Sequence, residues 1–262
     1  MSASKSATNG HGWRATRQRG VQVLLWALAA TCLPALPAAA QAAPAALLPD
    51  LQPAVQPPPD RAAWRAGLAQ ALASQEVQAL AGWVVDVTDN HGLPFLLVDK
   101  KEARVFAFDA SGRLRGAAPA LLGLAIGDDA VPGIGERKLS DIRPDERTTP
   151  AGRFVASLDR NLHGQEILWV DYDTAISLHR VVAGTPSERR AQRLASPTPL
   201  DNRISYGCIN VPVRFYEEVV SPAFTGTDGI VYVMPETRSA REVFGSPGVQ
   251  ASAETPVRSR RP

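Results

Sequence analysis

The sequence predicts a mainly β domain of the α+β class, with short helices and one N-terminal helix ahead of it. Three observations carry that prediction. From Trp83 onward apolar residues recur at every second position. The runs are short and separated by Gly, Asn, Asp and Pro turn signals. No long helical pattern alternates with the strands, which excludes a wound parallel sheet.

Residues 43–59 are rich in Ala and Pro, including Pro57-Pro58-Pro59, and read as an extended linker. Asp60 is suited to cap a helix running to about Leu80, with Trp64, Leu68, Leu72 and Leu80 at helical spacing. Trp83–Val87 then reads as the first strand, so 60–94 holds an N-terminal helix and a strand. Phe95–Val98 and Arg104–Phe108 follow, with turns at Asn90-His91-Gly92 and around Lys100–Glu102. Asp109-Ala110-Ser111-Gly112 is a further turn before a less regular strand near Arg113–Leu122, which together predict a β-meander.

Residues 132–150 form a polar loop with Gly133, Gly135, Pro144 and Pro150. Strands are expected at Gly152–Leu158, Glu166–Asp171 and Thr174–Val182, the last carrying His179. Residues 183–204 are polar and rich in arginine. Pro212 opens a short helix through Val220, with Phe215, Tyr216, Val219 and Val220 as its buried stripe. Gly229–Met234 is the last strand, and residues 246–262 read as a disordered tail.

Lys and Arg number 28 against 26 acidic residues in a chain of 262. Four of the basic residues, Lys5, Arg14, Arg17 and Arg19, fall in the first twenty positions, where there is no acid. The remainder therefore carries a slight net negative charge, which argues against a nucleic-acid partner. That basic start is followed by an apolar run, Val21 to Leu36, and by Ala-x-Ala triplets ending at Ala40 and Ala42. Residues 1–42 read as a secretory signal peptide, because the apolar run falls short of the roughly twenty residues a spanning helix needs. The processed chain is expected to be exported, with no integral membrane span.

Processing would remove Cys32 and leave Cys208 as the one thiol. Exported proteins normally pair their cysteines, so a leftover thiol points to a reactive role, or to a small buried hydrophobe. A cysteine nucleophile needs a base to form its thiolate, and backbone amides to hold the oxyanion it creates. Gly207 just before Cys208 suits a tight turn that presents such amides. Three histidines remain as base candidates: His91 and His163 in polar turns, and His179 at the end of an apolar strand. Spacing alone puts none of them beside Cys208, and a satisfied core histidine remains an equal reading of His179. No His/Cys cluster has metal-ligand spacing, and no Gly-rich phosphate loop lies between a strand and a helix.

Ser205-Tyr206-Gly207-Cys208-Ile209-Asn210 resembles the signature of the YkuD-type L,D-transpeptidase catalytic domain. Its usual form is Ser-His-Gly-Cys, an apolar residue, then Asn or Arg. Leu97–Lys101 through Val105–Asp109 resembles that family's opening hairpin, Thr149-Pro150-Ala151-Gly152-Arg153-Phe154 its Thr-Pro-x-Gly-x-Phe segment, and Trp169–Tyr172 the strand before its histidine. The resemblance covers about residues 95–235. It implies a YkuD-like β-sandwich over 95–236, with Cys208 as nucleophile and His179 as base. Ser205, Tyr206, Gly207 and Asn210 would make up the motif and its oxyanion hole, and Arg180 and Arg203 would bind substrate. Arg189, Arg190 and Arg193 either meet substrate carboxylates or form a solvated charge run. The chain departs from the pattern in three ways: Tyr206 stands for the usual histidine, Arg180 for the usual glycine, and 25 residues separate His179 from Ser205.

The family's chemistry implies periplasmic acyl transfer between peptidoglycan stem peptides through a thioester, without a metal or organic cofactor. A stem-peptide L,D-carboxypeptidase or a non-catalytic wall-binding protein would use the same fold.

Overall fold

The computed structural model describes residues 60–245. The expected signal peptide (1–42), linker (43–59) and tail (246–262) lie outside the described residues. Two helices, α1 (Arg61–Gln70) and α2 (Gln75–Val87), precede ten strands. These are β1 (Phe95–Asp99), β2 (Arg104–Phe108), β3 (Leu114–Pro119), β4 (Leu122–Gly123), β5 (Gly152–Arg160), β6 (Glu166–Asp171), β7 (Ile176–Arg180), β8 (Arg203–Ser205), β9 (Ile209–Val211) and β10 (Gly229–Val233). Helix α3 (Arg190–Ala195) lies between β7 and β8. After β9, α4 (Val213–Phe215) passes through a π-helical turn (Tyr216–Val220) into α5 (Ser221–Phe224), and α6 (Ala240–Phe244) follows β10.

The prediction of a mainly β domain with short helices holds. Eight strands form a sheet in the order β3-β2-β1-β10-β5-β6-β7-β9, and β4 pairs with β8 beside it. The expected meander is confined to β1–β3, because β10 returns to lie parallel to β1, pairing Phe95 with Ile230 and Val98 with Val233. β5 belongs to both halves of the sheet. Its first part, Gly152 to Ala156, pairs with β10, and its second, Ser157 to Arg160, pairs with β6.

Both faces of the central strands are buried, which is why Phe95-Leu96-Leu97-Val98 and Ile230-Val231-Tyr232-Val233 read as unbroken apolar runs. Leu96, Val98, Val231 and Val233 face a core shared with Leu168, Leu178, Ile209 and Val211 of the other half-sheet and with Phe215, Tyr216, Val220 and Phe224. The two halves thus enclose one sandwich-like core. Phe95, Leu97, Ile230 and Tyr232 face the opposite way, onto Trp64, Leu68, Val77, Leu80 and Val84 of the N-terminal helices. Each such buried side chain contributes about 1.5–3 kcal/mol.

The N-terminal segment corrects two expectations. The expected single helix to Leu80 is broken at Leu72, which takes a left-handed conformation (φ 58°) and leaves its side chain exposed. Ser74 then caps α2 by accepting from the Val77 amide. The expected strand Trp83–Val87 is helical. Val84 continues the buried stripe of Val77, Leu80 and Ala81, whereas Val87 is exposed, so the period there is helical. The β-branched valines imitated a strand. The helix after Pro212 also runs past Val220 to Phe224, and α3, α6, β4, β8 and β9 are additions to the expected elements. Among the described residues no helix is long and apolar enough to cross a membrane.

Candidate active site

Strand alternation assembles the site. On β7, Ser177 and His179 share one side while Leu178 enters the core. β9 lies parallel, with Leu178 opposite Ile209 and His179 opposite Asn210, so Cys208 stands beside Ser177 just before the strand starts. Gly207 turns the chain at φ 131°, and a Cβ there would stand 2.6 Å from both the Ile176 Cδ1 and the Thr148 carbonyl oxygen. Only glycine fits this turn. Cys208 Sγ lies 3.5 Å from Ser177 Oγ and 3.7 Å from the Ala175 carbonyl.

The thiol and the imidazole act on each other. Burial alone pushes the Cys208 thiol up and the His179 imidazole down. The attraction between them, aided by Ser177 at the thiol and the Arg180 carbonyl at the imidazole, outweighs it, so the thiol lies below its ordinary value and the imidazole above. His179 Nδ1–H donates to the Arg180 carbonyl at 2.7 Å, which assigns the tautomer and leaves Nε2 for the thiol. His91 and His163 are exposed, as their turns suggested. Of the three histidines, His179 is the one brought to Cys208.

The turn is braced from within. Ser205 Oγ donates to the Cys208 carbonyl (2.7 Å) and accepts the Gly207 amide (3.0 Å). Asn210 Nδ2 donates to the same carbonyl (3.1 Å) while its Oδ1 accepts from Arg190 (2.9 Å). Ser205 and Asn210 therefore hold the turn, and the Gly207 amide is already engaged. The Tyr206 and Cys208 amides have no acceptor among the described residues.

A second brace comes from Thr149, whose Oγ1 donates to the Gly207 carbonyl (2.8 Å) and accepts the Gly123 amide (2.9 Å). Its own carbonyl accepts from Lys100 Nζ at 2.9 Å. Lys100 is fully buried and also reaches Asp128 (2.7 Å) and the Gly127 carbonyl (2.6 Å). Thr149→Val should cost roughly 1–3 kcal/mol of stability, because it leaves two buried polar groups unpaired. Urea unfolding measures that loss, and iodoacetamide should alkylate Cys208 more slowly in the folded variant as the turn loosens.

Both arginines expected at the substrate are placed elsewhere. Arg203 is buried and forms a short ion pair with Glu236 and a 2.8 Å hydrogen bond to the Lys100 carbonyl, so it is part of the internal framework. Arg180 follows His179 on β7 and so faces away from the thiol. It binds Glu217 (3.1 Å) and the Glu166 carbonyl (3.0 Å) and lies over the Tyr216 ring. In the segment between β7 and β8, Arg190 reaches Glu188 and Asn210, and Arg193 binds the Glu188 and Asp201 carbonyls. These two arginines tie the segment together.

The loop 132–150 walls a cavity of about 160 Å³ at Cys208, lined by Ile134, Leu139, Ile142, Ile176, Arg137 and Tyr206 among others. Three short 3-10 turns shape it: Ile134–Glu136, Leu139–Asp141 and Pro144–Glu146. Glu146 grips Arg137 through two contacts of 3.0 Å and accepts the Arg143 amide, and the Arg137 guanidinium holds its carboxyl down at about 2. That clamp keeps its charge at any pH near neutrality. Arg147 covers the Tyr206 ring at 3.9 Å, joining the loop to the catalytic turn. Ser177, Thr149, Lys100 and this wall escaped the sequence reading. Two had a signal: Ser177 as the residue two before His179 on one strand side, and Thr149 as the start of the Thr-Pro-x-Gly-x-Phe segment.

Fold and site together define a β-rich protein with a cysteine–histidine pair arranged for nucleophilic chemistry. No family model matches the chain, and no curated protein matches it. Solved structures do. The LD transpeptidase LdtMt1, solved in complex with imipenem, aligns at 14% identity and a TM-score of 0.31, over 54% of this chain and 58% of that one. The helical cell shape determining protein Pgp2 from Campylobacter jejuni aligns at 16% identity and 0.37, over 60% and 55%. The catalytic domain of the E. faecium L,D-transpeptidase aligns at 16% and 0.27, over 53% and 95%. The match spans little more than half the length of the first two.

Proposed function

We propose that this chain is an exported, periplasmic L,D-transpeptidase, a cysteine acyltransferase acting on peptidoglycan stem peptides. The observation that carries the reading is the Cys208–His179 pair, its imidazole oriented by the Arg180 carbonyl and its thiol lining a walled cavity. The resemblance of Ser205–Asn210 to the family signature supplies the substrate class.

His179 Nε2 takes the thiol proton, and the thiolate attacks the carbonyl carbon of the diaminopimelate–D-alanine amide. The C–S bond forms as the carbonyl electrons move to oxygen, where the free Tyr206 and Cys208 amides can donate. The Tyr206 side chain need not take part, since its amide does the work. His179 then protonates the departing amine, the C–N bond breaks, and D-alanine leaves a thioester. The amine of a second stem attacks that thioester and loses its proton to His179, and the thiolate is expelled. The charges around the cavity are already paired, Arg137 with Glu146 and Arg190 with Glu188, so the reacting carbonyl enters an environment of fixed dipoles.

Purified protein incubated with disaccharide-tetrapeptide should release D-alanine and form stem dimers, and intact-mass measurement should detect a carbapenem adduct on Cys208. Cys208→Ala should lose all three. Release without dimers would make the protein a carboxypeptidase, and binding of peptidoglycan with neither product nor adduct would sink the enzymatic reading.

A further inference from the structure

Ser177 is the group nearest the nucleophile to which the steps above give no role. The residue is 4% exposed, and its hydroxyl has one hydrogen-bond partner among the described residues, the Cys208 sulfur at 3.5 Å. That distance is a hydrogen bond for sulfur. On another side of the thiol, the Ala175 carbonyl at 3.7 Å accepts from S–H but repels a thiolate. When the proton leaves, only donors can face the sulfur, and the Ser177 hydroxyl is free to turn its hydrogen that way.

We propose that Ser177 is a further catalytic residue, whose hydroxyl donates to the sulfur of Cys208 whenever that sulfur carries negative charge. The inference deepens the acyl-transfer reading and rests on it for its catalytic meaning. During attack, the sulfur's charge passes to the carbonyl oxygen as the C–S bond forms, and the hydroxyl is released. During resolution, the C–S bond breaks, its electron pair returns to sulfur, and the same hydroxyl receives it. The residue therefore assists both the thiolate that attacks and the thiolate that leaves. A hydrogen bond to an ionised acceptor is about twice as strong as one between neutral groups, so its effect falls on the charged state.

His179, on β7, acts on the thiol from its own strand side. Tyr206 from the turn and Arg137 from the loop line the cavity with Cys208, the Arg137 charge taken by Glu146. Arg190 acts on His179 against the imidazolium. No carboxylate lines the cavity among the described residues.

The test compares Ser177→Thr with Ser177→Val, two side chains of nearly one shape that differ in the hydroxyl. Iodoacetamide alkylation of Cys208 is followed across pH, a readout that needs no stem peptide and so stands apart from any failure to release D-alanine. Ser177→Thr should keep the wild-type midpoint. Ser177→Val should move it up by about one pH unit and slow alkylation about tenfold on the acidic limb. Both variants pack the same volume, so equal thermal midpoints remove a folding explanation. Coincident pH profiles for the two variants would overturn the proposal.

Discussion

His179→Ala should slow the alkylation of Cys208 near neutral pH by about a hundredfold or more, the range a positioned base contributes. The direction follows from the pair. Burial raises the thiol, and His179 together with Ser177 more than reverses this, so the native thiolate persists to a pH below the ordinary thiol value. Without the imidazole only burial and Ser177 remain, and the thiol should titrate higher than in wild type. The wild-type rate should therefore hold up as pH falls, while the variant rate declines from a more alkaline point. D-alanine release, if the proposed function holds, should fall with it. His91→Ala and His163→Ala serve as controls, because both residues are exposed and away from the sulfur. An unchanged alkylation profile in His179→Ala would show that the pair does not ionise the nucleophile.

Lys100→Met should cost about 3–5 kcal/mol of folding stability, measured by urea unfolding at neutral pH. Lys100 is fully enclosed, and its ammonium touches Asp128, Glu236 and two carbonyls. Removing it leaves two carboxylates buried without their shared cation, although Arg203 still meets Glu236. The acid limb should change as well. Burial pushes the Asp128 carboxyl up, but Lys100, Thr237 and the amides of Glu236 and Thr237 hold it well below 3.8. A depressed carboxyl stabilises the fold fully above its unfolded value and loses that contribution as pH falls through the folded one. With Lys100 gone the depression shrinks, so the variant has less of this stability to lose, and its loss is complete at a higher pH than in wild type. Equal acid limbs and a loss under 1 kcal/mol would mean that the cluster relaxes around the missing charge.

The strands were legible where apolar residues met turn residues: β1, β2, β6 and β10 match their expected spans to within a residue. The errors have physical causes. Val84, Val85 and Val87 are good strand formers, but their burial follows Val77 and Leu80, and packing onto the sheet outweighed propensity. β4, β8 and β9 are two or three residues long, too short to display a period. Lys100 was read as a hairpin residue because charge normally marks a turn. Its partners lie 28 and 136 positions away, and only the folded chain assembles them. In the site, Cys208 and His179 were visible as candidates, while their proximity depends on the β7–β9 register. The resemblance implies a substrate role for Arg180, although alternation from His179 turns it away. Arg203 offered no such clue, since its burial against Glu236 joins distant segments.

The place of β10 has a consequence for how the molecule comes into being. It lies between β1 and β5, yet it is the last strand to leave the ribosome. Until Gly229–Val233 has emerged, β1 and β5 each present an unpaired edge, and the eight-stranded sheet is interrupted between them, its halves linked only by the short β4–β8 pair, the Leu121–Asn210 bridge and the shared core. Joining them closes a loop of more than a hundred residues between Phe95 and Ile230, an ordering step that slows folding. A nascent chain ending before Gly229 thus carries two open, apolar strand edges, prone to pair with other chains. Completion of the sheet that positions Cys208 and His179 waits on a segment that contributes no atom to the site.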